Sequence, residues 1–320
     1  GGDYHIEWKA SHPDTRVSVE AVSVNGPFEA YYATAPAFSA RISGLPVARR
    51  HFFRLRDEYG NEVLAAERRL GLEGSPNFRD FGGYPTSEGG TVKWGCLFRS
   101  GNLSRLTDTD LELLESLELD LVFDFRQEAE QAGDPSRLPV ARPPRVCHLP
   151  IEPGNNSGFL RGMSGPITEP QVMFDFMRTV NRELASVEAG TYRRMFSEIL
   201  AREDARYLVH CAAGKDRTGF AVALMLLALG VSEAVVMRDY LLSGRFYNAA
   251  AEVERVARKY GLATSDRAAI LPMLQVDVAY LQAALDVIDE DYPDIATYLD
   301  EVMGVGEREL AELRRRYIDN

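Results

Sequence analysis

The sequence predicts an α/β protein, with a central, mainly parallel sheet flanked by helices and preceded by a small all-β sandwich. Three observations carry this. From about residue 72 onward, short apolar runs alternate with longer segments of helical period, the pattern of strands joined by helical crossovers. Before that point, several short strand-period stretches are separated by turn residues. The stretch Tyr207–Gly219 reads as a strand, a tight anion-binding loop and a helix N-terminus, with Cys211 and Arg217 at opposite ends of the loop facing a common centre.

In chain order, residues 1–71 form the first unit. His5–Trp8, Arg16–Val22, Ala37–Ile42, His51–Arg56 and Glu62–Glu67 alternate or cluster at strand spacing. Turns are expected at Asn25-Gly26-Pro27, Ser43–Pro46 and Tyr59-Gly60-Asn61. The fold expected is a small immunoglobulin- or fibronectin-like sandwich, acting as a packing domain or as a substrate-positioning module. The boundary falls near Gly71–Pro76, and residues 72–320 form the second unit. There, Asn77–Tyr84 is a polar-aromatic segment closed by the pair Gly82-Gly83, which permits close approach of chain to chain. Thr91–Gly95 and Cys96–Ser100 are short strands. Thr107 caps a helix with an acid three residues on, and Leu119–Phe125 and Arg145–Ile151 are strands buried on both faces. A loop spans Glu152–Pro170; helices follow at about 170–185 and 190–201, then the strand entering the central loop. Everything after Gly219 reads as helix, with the apolar stripes in 276–302 forming core.

A net charge of −12 argues against nucleic acid as a partner and against general attachment to anionic membranes, though a local pocket can still be positive. The three cysteines, Cys96, Cys147 and Cys211, are too few and scattered for a disulfide framework or a cysteine-rich metal site. No run approaches the ~18 apolar residues that would span a bilayer. The chain begins Gly1-Gly2, so a leader could have been removed; cytoplasmic and secreted locations both stay open, as does oligomeric state. The sequons at Asn102 and Asn155 carry no weight.

The loop residues explain a chemistry. A phosphate monoester is held best by backbone N–H groups converging at a helix N-terminus, and Ala212, Ala213 and Gly214 are small enough to let those amides point inward. Lys215 and Asp216 complete the loop. Arg217 supplies a planar fork for two phosphate oxygens. Cysteine titrates near 8.5 and falls by one to several units in such a setting, which makes Cys211 the expected nucleophile. His210 is expected to orient the loop, and the Thr218 hydroxyl to hydrogen-bond the sulfur. Attack by Cys211 gives a phosphocysteine that water hydrolyses, with no metal or cofactor required. The competing reading is a phosphate-binding module without turnover.

Four segments in order, Asn77–Tyr84, Leu97–Ser100, Phe123–Arg126 and His210–Gly219 (HCAAGKDRTG), resemble the bacterial tyrosine-phosphatase family that includes mycobacterial and Listeria enzymes, over about residues 72–317. The resemblance implies a tyrosine-phosphatase-like fold, with Cys211 as nucleophile and Arg217 as phosphate clamp. The substrate it implies is a phosphotyrosine protein, with phosphoinositides and other phosphoresidues as alternatives. The general acid departs from the common pattern, because Pro153 stands where many relatives place Asp. Asp216 is the first candidate, by similarity to myotubularins and Sac-type phosphatases, which carry Asp just before the loop arginine; Asp124 and Glu152 are the others. Lys215 resembles the loop lysine of lipid-directed relatives, where it meets further phosphates; the alternative is a lysine paired with Asp216 or Asp80. Arg79, Asp80, Arg99 and Ser100 are expected to brace the loop. Cys147 and His148, adjacent on a strand, point to opposite faces and form no site. If Cys96 lay close to Cys211, a protective disulfide could form on oxidation.

Overall fold

The computed structural model describes residues 2–10, 12, 14–22, 38–46, 49–152, 166–259 and 261–319. The turn at Asn25-Gly26-Pro27, Pro153, the sequon at Asn155 and most of the loop after Glu152 lie outside the described residues.

The first unit contains β1 (Tyr4–Glu7), β2 (Val17–Val22), β3 (Ser39–Ile42), β4 (Phe52–Asp57) and β5 (Glu62–Ala66). β1 pairs antiparallel with β3, while β2, β4 and β5 form a second antiparallel sheet in that order. Strand alternation does the sorting: Val17, Val19 and Ala21 face inward and join Ile6, Ala40, Ile42 and Phe53 in one apolar cluster shared by both sheets.

The second unit is mixed α/β. Its strands are β6 (Arg79–Asp80), β7 (Thr91–Val92), β8 (Leu97–Ser100), β9 (Leu121–Asp124), β10 (Arg145–His148), β11 (Tyr207–His210) and β12 (Ile318–Asp319). Its helices include α1 (Asp108–Ser116), α2 (Glu128–Gly133), α3 (Pro170–Ala185), α4 (Ala189–Leu200), α5 (Asp216–Ala228), α6 (Glu233–Leu241), α7 (Ser243–Phe246), α8 (Ala249–Lys259), α9 (Arg267–Ile270), α10 (Val278–Asp291), α11 (Ile295–Glu301) and α12 (Glu307–Tyr317). The central sheet runs β10-β9-β11-β8-β6; its first four strands are parallel and β6 closes one edge antiparallel. Thr107 caps α1 reciprocally with Asp110, as its sequence signature requires.

β11 shows why the sheet needs cover on both faces. Tyr207 and Val209 enter the large cluster built with α3, α4, α5 and α10, whereas Leu208 points to a second cluster under α1. The stripes expected as core do become core: Tyr280, Leu281, Ala284, Leu285 and Ile288 of α10 are buried. Two short strands escape the sequence reading. β6 lies within the polar-aromatic segment, and β12 ends a tail expected to be helical throughout, pairing with β7.

The two units meet through arginines and one tryptophan. Arg50 Nη2 lies 2.7 Å from Asp80 Oδ2, and its guanidinium stacks over the Phe52 and Phe98 rings. Trp94 Nε1 donates to Leu64 O at 3.1 Å. Gly83, at φ 71°, lets the chain pass the Trp94 ring, which a Cβ would meet at 2.0 Å. No single helix among the described residues is long and apolar enough to cross a membrane.

Candidate active site

The parallel strands end level. His210 of β11 stands opposite Ser100 of β8 and Asp124 of β9, and His148 of β10 continues the row. The loop 211–215 therefore leaves the carboxyl edge of the sheet, where open α/β sheets bind ligands, and runs directly into the N-terminus of α5. Gly214 makes the turn at φ 68°, so close to β8 that a Cβ would sit 2.3 Å from Ser100 O.

Cys211 is buried, and the Gly214 N–H donates to its Sγ at 3.3 Å. The expected Thr218 contact is not made. The Thr218 hydroxyl is buried and has no hydrogen-bond partner among the described residues, the sulfur included. Arg217 reaches from α5 to the far side of the site. Its Nη1 donates to Phe125 O (3.1 Å) and to Glu130 Oε2 (2.8 Å), and its own carbonyl accepts from the Tyr192 hydroxyl (3.0 Å).

Glu130, which pairs with the loop arginine, is a residue that sequence reasoning missed. It sits in α2, a six-residue helix with no buried residue and hence no apolar stripe to reveal it. The polar start of α2, Gln127 with Glu130 three residues on, was the one available signal, a capping box observed in the fold. Lys259 at the end of α8 joins the same carboxylate at 3.0 Å. Burial alone would raise the Glu130 carboxyl; Arg217 and Lys259 outweigh it and hold it at about 2.

The three acid candidates sit in different surroundings. Asp216, 15% exposed, pairs with Lys215 Nζ at 2.9 Å and accepts from the Tyr240 hydroxyl at 3.1 Å. Asp124, 1% exposed, is gripped by Arg126 through Nη2 (2.7 Å) and Nε (2.9 Å). Burial works to raise the Asp124 carboxyl, but His210 and Arg126 prevail and keep it below the ordinary carboxylate range. Glu152 is exposed at the start of the loop after β10. His210 is wholly buried, its Nε2 3.6 Å from Asp124 Oδ2, and burial pushes its imidazole down to about 4 despite that neighbour.

Lys215 is committed. Its ammonium, on a side chain 5% exposed, holds Asp216 and donates to Gln275 O at 2.9 Å. Of the expected braces, Arg99 donates to Gly214 O at 2.8 Å, and Ser100 abuts Gly214 through its backbone. Arg79 acts one step removed, through Asn77 and Asp239. Asp80 does not reach the loop: it accepts from the Gly82 and Gly95 amides and pairs with Arg50. Cys96 and Cys211 cannot join. Cys96 precedes Leu97, which faces Tyr207, while Cys211 follows His210, so they lie about five strand residues or roughly 16 Å apart, against about 7 Å for a disulfide. Burial first and Asp80 second push the Cys96 thiol up to about 11. His148 Nε2 donates to Arg126 O (2.8 Å). Among the described residues no three His, Cys, Asp or Glu side chains converge as a metal-binding group.

A buried thiol that accepts from a loop amide just before a helix N-terminus, with an arginine six residues on, is the arrangement of the cysteine-dependent phosphatases as a class. Comparison with known proteins agrees: residues 70–319 match the tyrosine phosphatase family, so the chain belongs to that family and is an enzyme of the cysteine-based tyrosine-phosphatase type. A Cupriavidus necator protein, named for tyrosine-protein phosphatase activity, is 32% identical over 251 residues, covering 78% of this chain and 88% of its own. The triple specificity protein phosphatase PtpB of Mycobacterium tuberculosis is 29% identical over 272 residues, covering 76% of this chain and 96% of that one. A tyrosine-protein phosphatase of Nostoc commune is 28% identical over 169 residues, covering 51% and 53%.

Proposed function

We propose that the chain hydrolyses phosphotyrosine in proteins, with Cys211 as nucleophile, Arg217 as phosphate clamp and Asp216 as general acid. The observation that carries this is the Gly214 amide aimed at Cys211 Sγ from the loop just before α5, with Arg217 in the first turn of that helix. The Cys211 thiolate attacks phosphorus, the bond from phosphorus to the tyrosyl oxygen breaks, and that oxygen takes the proton of Asp216. Water then attacks the phosphocysteine, passing a proton back to Asp216, and inorganic phosphate leaves as the thiolate is restored. Ala213, Gly214, Lys215 and Asp216 contribute backbone amides to the phosphate, Ala212 helps to shape the loop, and His210 supports it from within the sheet.

Asp216 is favoured over Asp124 by access: Asp124 is enclosed and held by Arg126, whereas Asp216 is partly open beside the loop arginine. Phosphotyrosine is favoured over multiply phosphorylated inositol lipids because Lys215 is occupied by Asp216 and Gln275 rather than open to a second phosphate. Residues 1–71 are read as a sandwich-like packing module on the catalytic domain of 72–320. The apolar cluster shared by its two sheets and the Arg50 and Trp94 contacts support that reading.

The test is turnover of p-nitrophenyl phosphate without added metal, blocked by vanadate, followed by a rate panel of phosphotyrosine, phosphoserine and phosphothreonine peptides beside inositol lipids. Cys211→Ser is expected to lose at least about a thousandfold in rate. Retention of most of the rate by that variant would sink the assignment.

A further inference from the structure

We infer that Asn77 and Arg99, together with the Asn102 backbone, are positioning residues that turn four phosphate-loop amides toward the substrate oxyanion, and that Asp239 fixes Arg99 for that task. The inference rests on the phosphatase reading above and assigns the residues that make the loop competent.

The geometry follows from the planarity of the peptide group. In a trans peptide, the C=O of one residue and the N–H of the next point in opposite directions. No cis peptide occurs among the described residues. Ala212 O is held from outside the loop by the Asn102 N–H at 3.0 Å. Asn77 Nδ2 donates to Ala213 O (3.3 Å) and Gly214 O (2.8 Å). Arg99 Nη2 donates to Gly214 O (2.8 Å) and reaches Lys215 O (3.4 Å). Four successive carbonyls thus face outward, so the amides of Ala213, Gly214, Lys215 and Asp216 face the hollow of the loop. One of these amides is directly visible in that role, since the Gly214 N–H meets Cys211 Sγ.

The donors behind the loop are themselves locked. Asn77 and Arg99 are 2% and 0% exposed. Asn77 stands at φ 63°, a left-handed conformation that asparagine tolerates better than most residues, and its side chain also reaches Ser243. Arg99 Nη1 is pinned to Asp239 Oδ2 at 2.7 Å. Asp239 also receives Arg79 Nε (3.3 Å) and the Tyr84 hydroxyl (3.0 Å). Two guanidiniums against one carboxylate leave positive charge behind the Gly214 and Lys215 carbonyls. A carbonyl that accepts from a cation makes the N–H of the same peptide a stronger donor, so the outer contacts both aim and strengthen the inner ones.

Asn77→Gly is the first test, because glycine takes φ 63° without strain; it removes the amide donor behind the loop together with the Oδ1 that accepts from Arg79. Arg99→Lys keeps the charge but loses the fork. Each variant is expected to raise the inhibition constant for inorganic phosphate about tenfold and to lower kcat on p-nitrophenyl phosphate by a similar factor. Residues that only held the fold together would change the melting temperature and leave the phosphate affinity of the folded enzyme alone. If either variant fails to fold, the unaltered 15N-labelled protein decides: titration with phosphate should shift the amide protons of 213–216 downfield more than those of the flanking residues. Folded variants with unchanged phosphate affinity, or a phosphate-binding wild type whose 213–216 amides do not move, would overturn the inference. Absence of any wild-type turnover would instead strike the phosphatase reading, while phosphate affinity would still test the positioning.

Discussion

On the substrate side of the loop, the charges come from three consecutive residues, and their side chains stay 5% to 15% exposed: Lys215, Asp216 and Arg217. Behind the loop, Arg79, Arg99 and Asp239 are wholly enclosed and come from positions up to 160 residues apart. At the front, Lys215 holds its neighbour Asp216, and Arg217 meets Glu130, which Lys259 also joins. The rear pairs have nothing to exchange with. A fully buried ion cluster is costly to desolvate and costlier to break, and a pair with some exposure is broken at lower cost. The contrast fits the proposed division, with chemistry at the front and shape held from the rear.

Substitutions should separate these two roles. Removing the shared carboxylate by Asp239→Asn leaves two buried guanidiniums uncompensated and should cost about 3–5 kcal/mol of stability, read as a lower urea midpoint. An unchanged midpoint would break the contrast from the rear. Arg217→Ala should lower kcat/KM by about two to three orders of magnitude, roughly 3–4 kcal/mol of transition-state binding, with a smaller loss of stability than Asp239→Asn. Unfolding of that variant would break it from the front.

Asp216→Asn should slow alkyl phosphates about a hundredfold while sparing activated aryl esters to within about threefold; equal losses on both would make Asp216 a positioning group. The buried His210 predicts acid sensitivity. Its folded pKa of about 4 lies below the ordinary value near 6.5, so the unfolded chain binds the extra proton between these limits. Stability should therefore fall as pH drops from 7 to 5, by about 2 kcal/mol, and denaturation of His210→Gln at both pH values should show that slope removed. The smallest effect is expected at the junction of the two units, where Trp94→Phe deletes one hydrogen bond to Leu64 and should cost about 1 kcal/mol in thermal unfolding.

Much of the second unit was legible because its signals are local. The helix expected at 170–185 forms over Pro170–Ala185, and the run Leu119–Phe125 contains β9, since apolar period and proline position act within a few residues. β6 and β12 were not legible: two-residue strands carry no period, and their pairing exists only because β8 and β7 arrive beside them. Glu130 was hidden for a related reason, lying on a helix too short and too polar to announce itself. Asp239 reads in sequence as one more polar position on a helix, yet it is the hub of the rear network.

By itself the sequence determined the loop: a cysteine and an arginine at fixed separation, small residues between them, and a helix directly after. Those features act over distances the chain cannot alter, because bonded geometry sets them. Only the tertiary structure decided which partners meet them. It gave Lys215 to Gln275 as well as to its neighbour Asp216, Arg217 to Glu130, and the Gly214 carbonyl to Asn77 beside the expected Arg99. Burial and long-range pairing choose among many charges of similar kind, and that choice depends on where the strands and helices bring each residue, not on its neighbours in sequence.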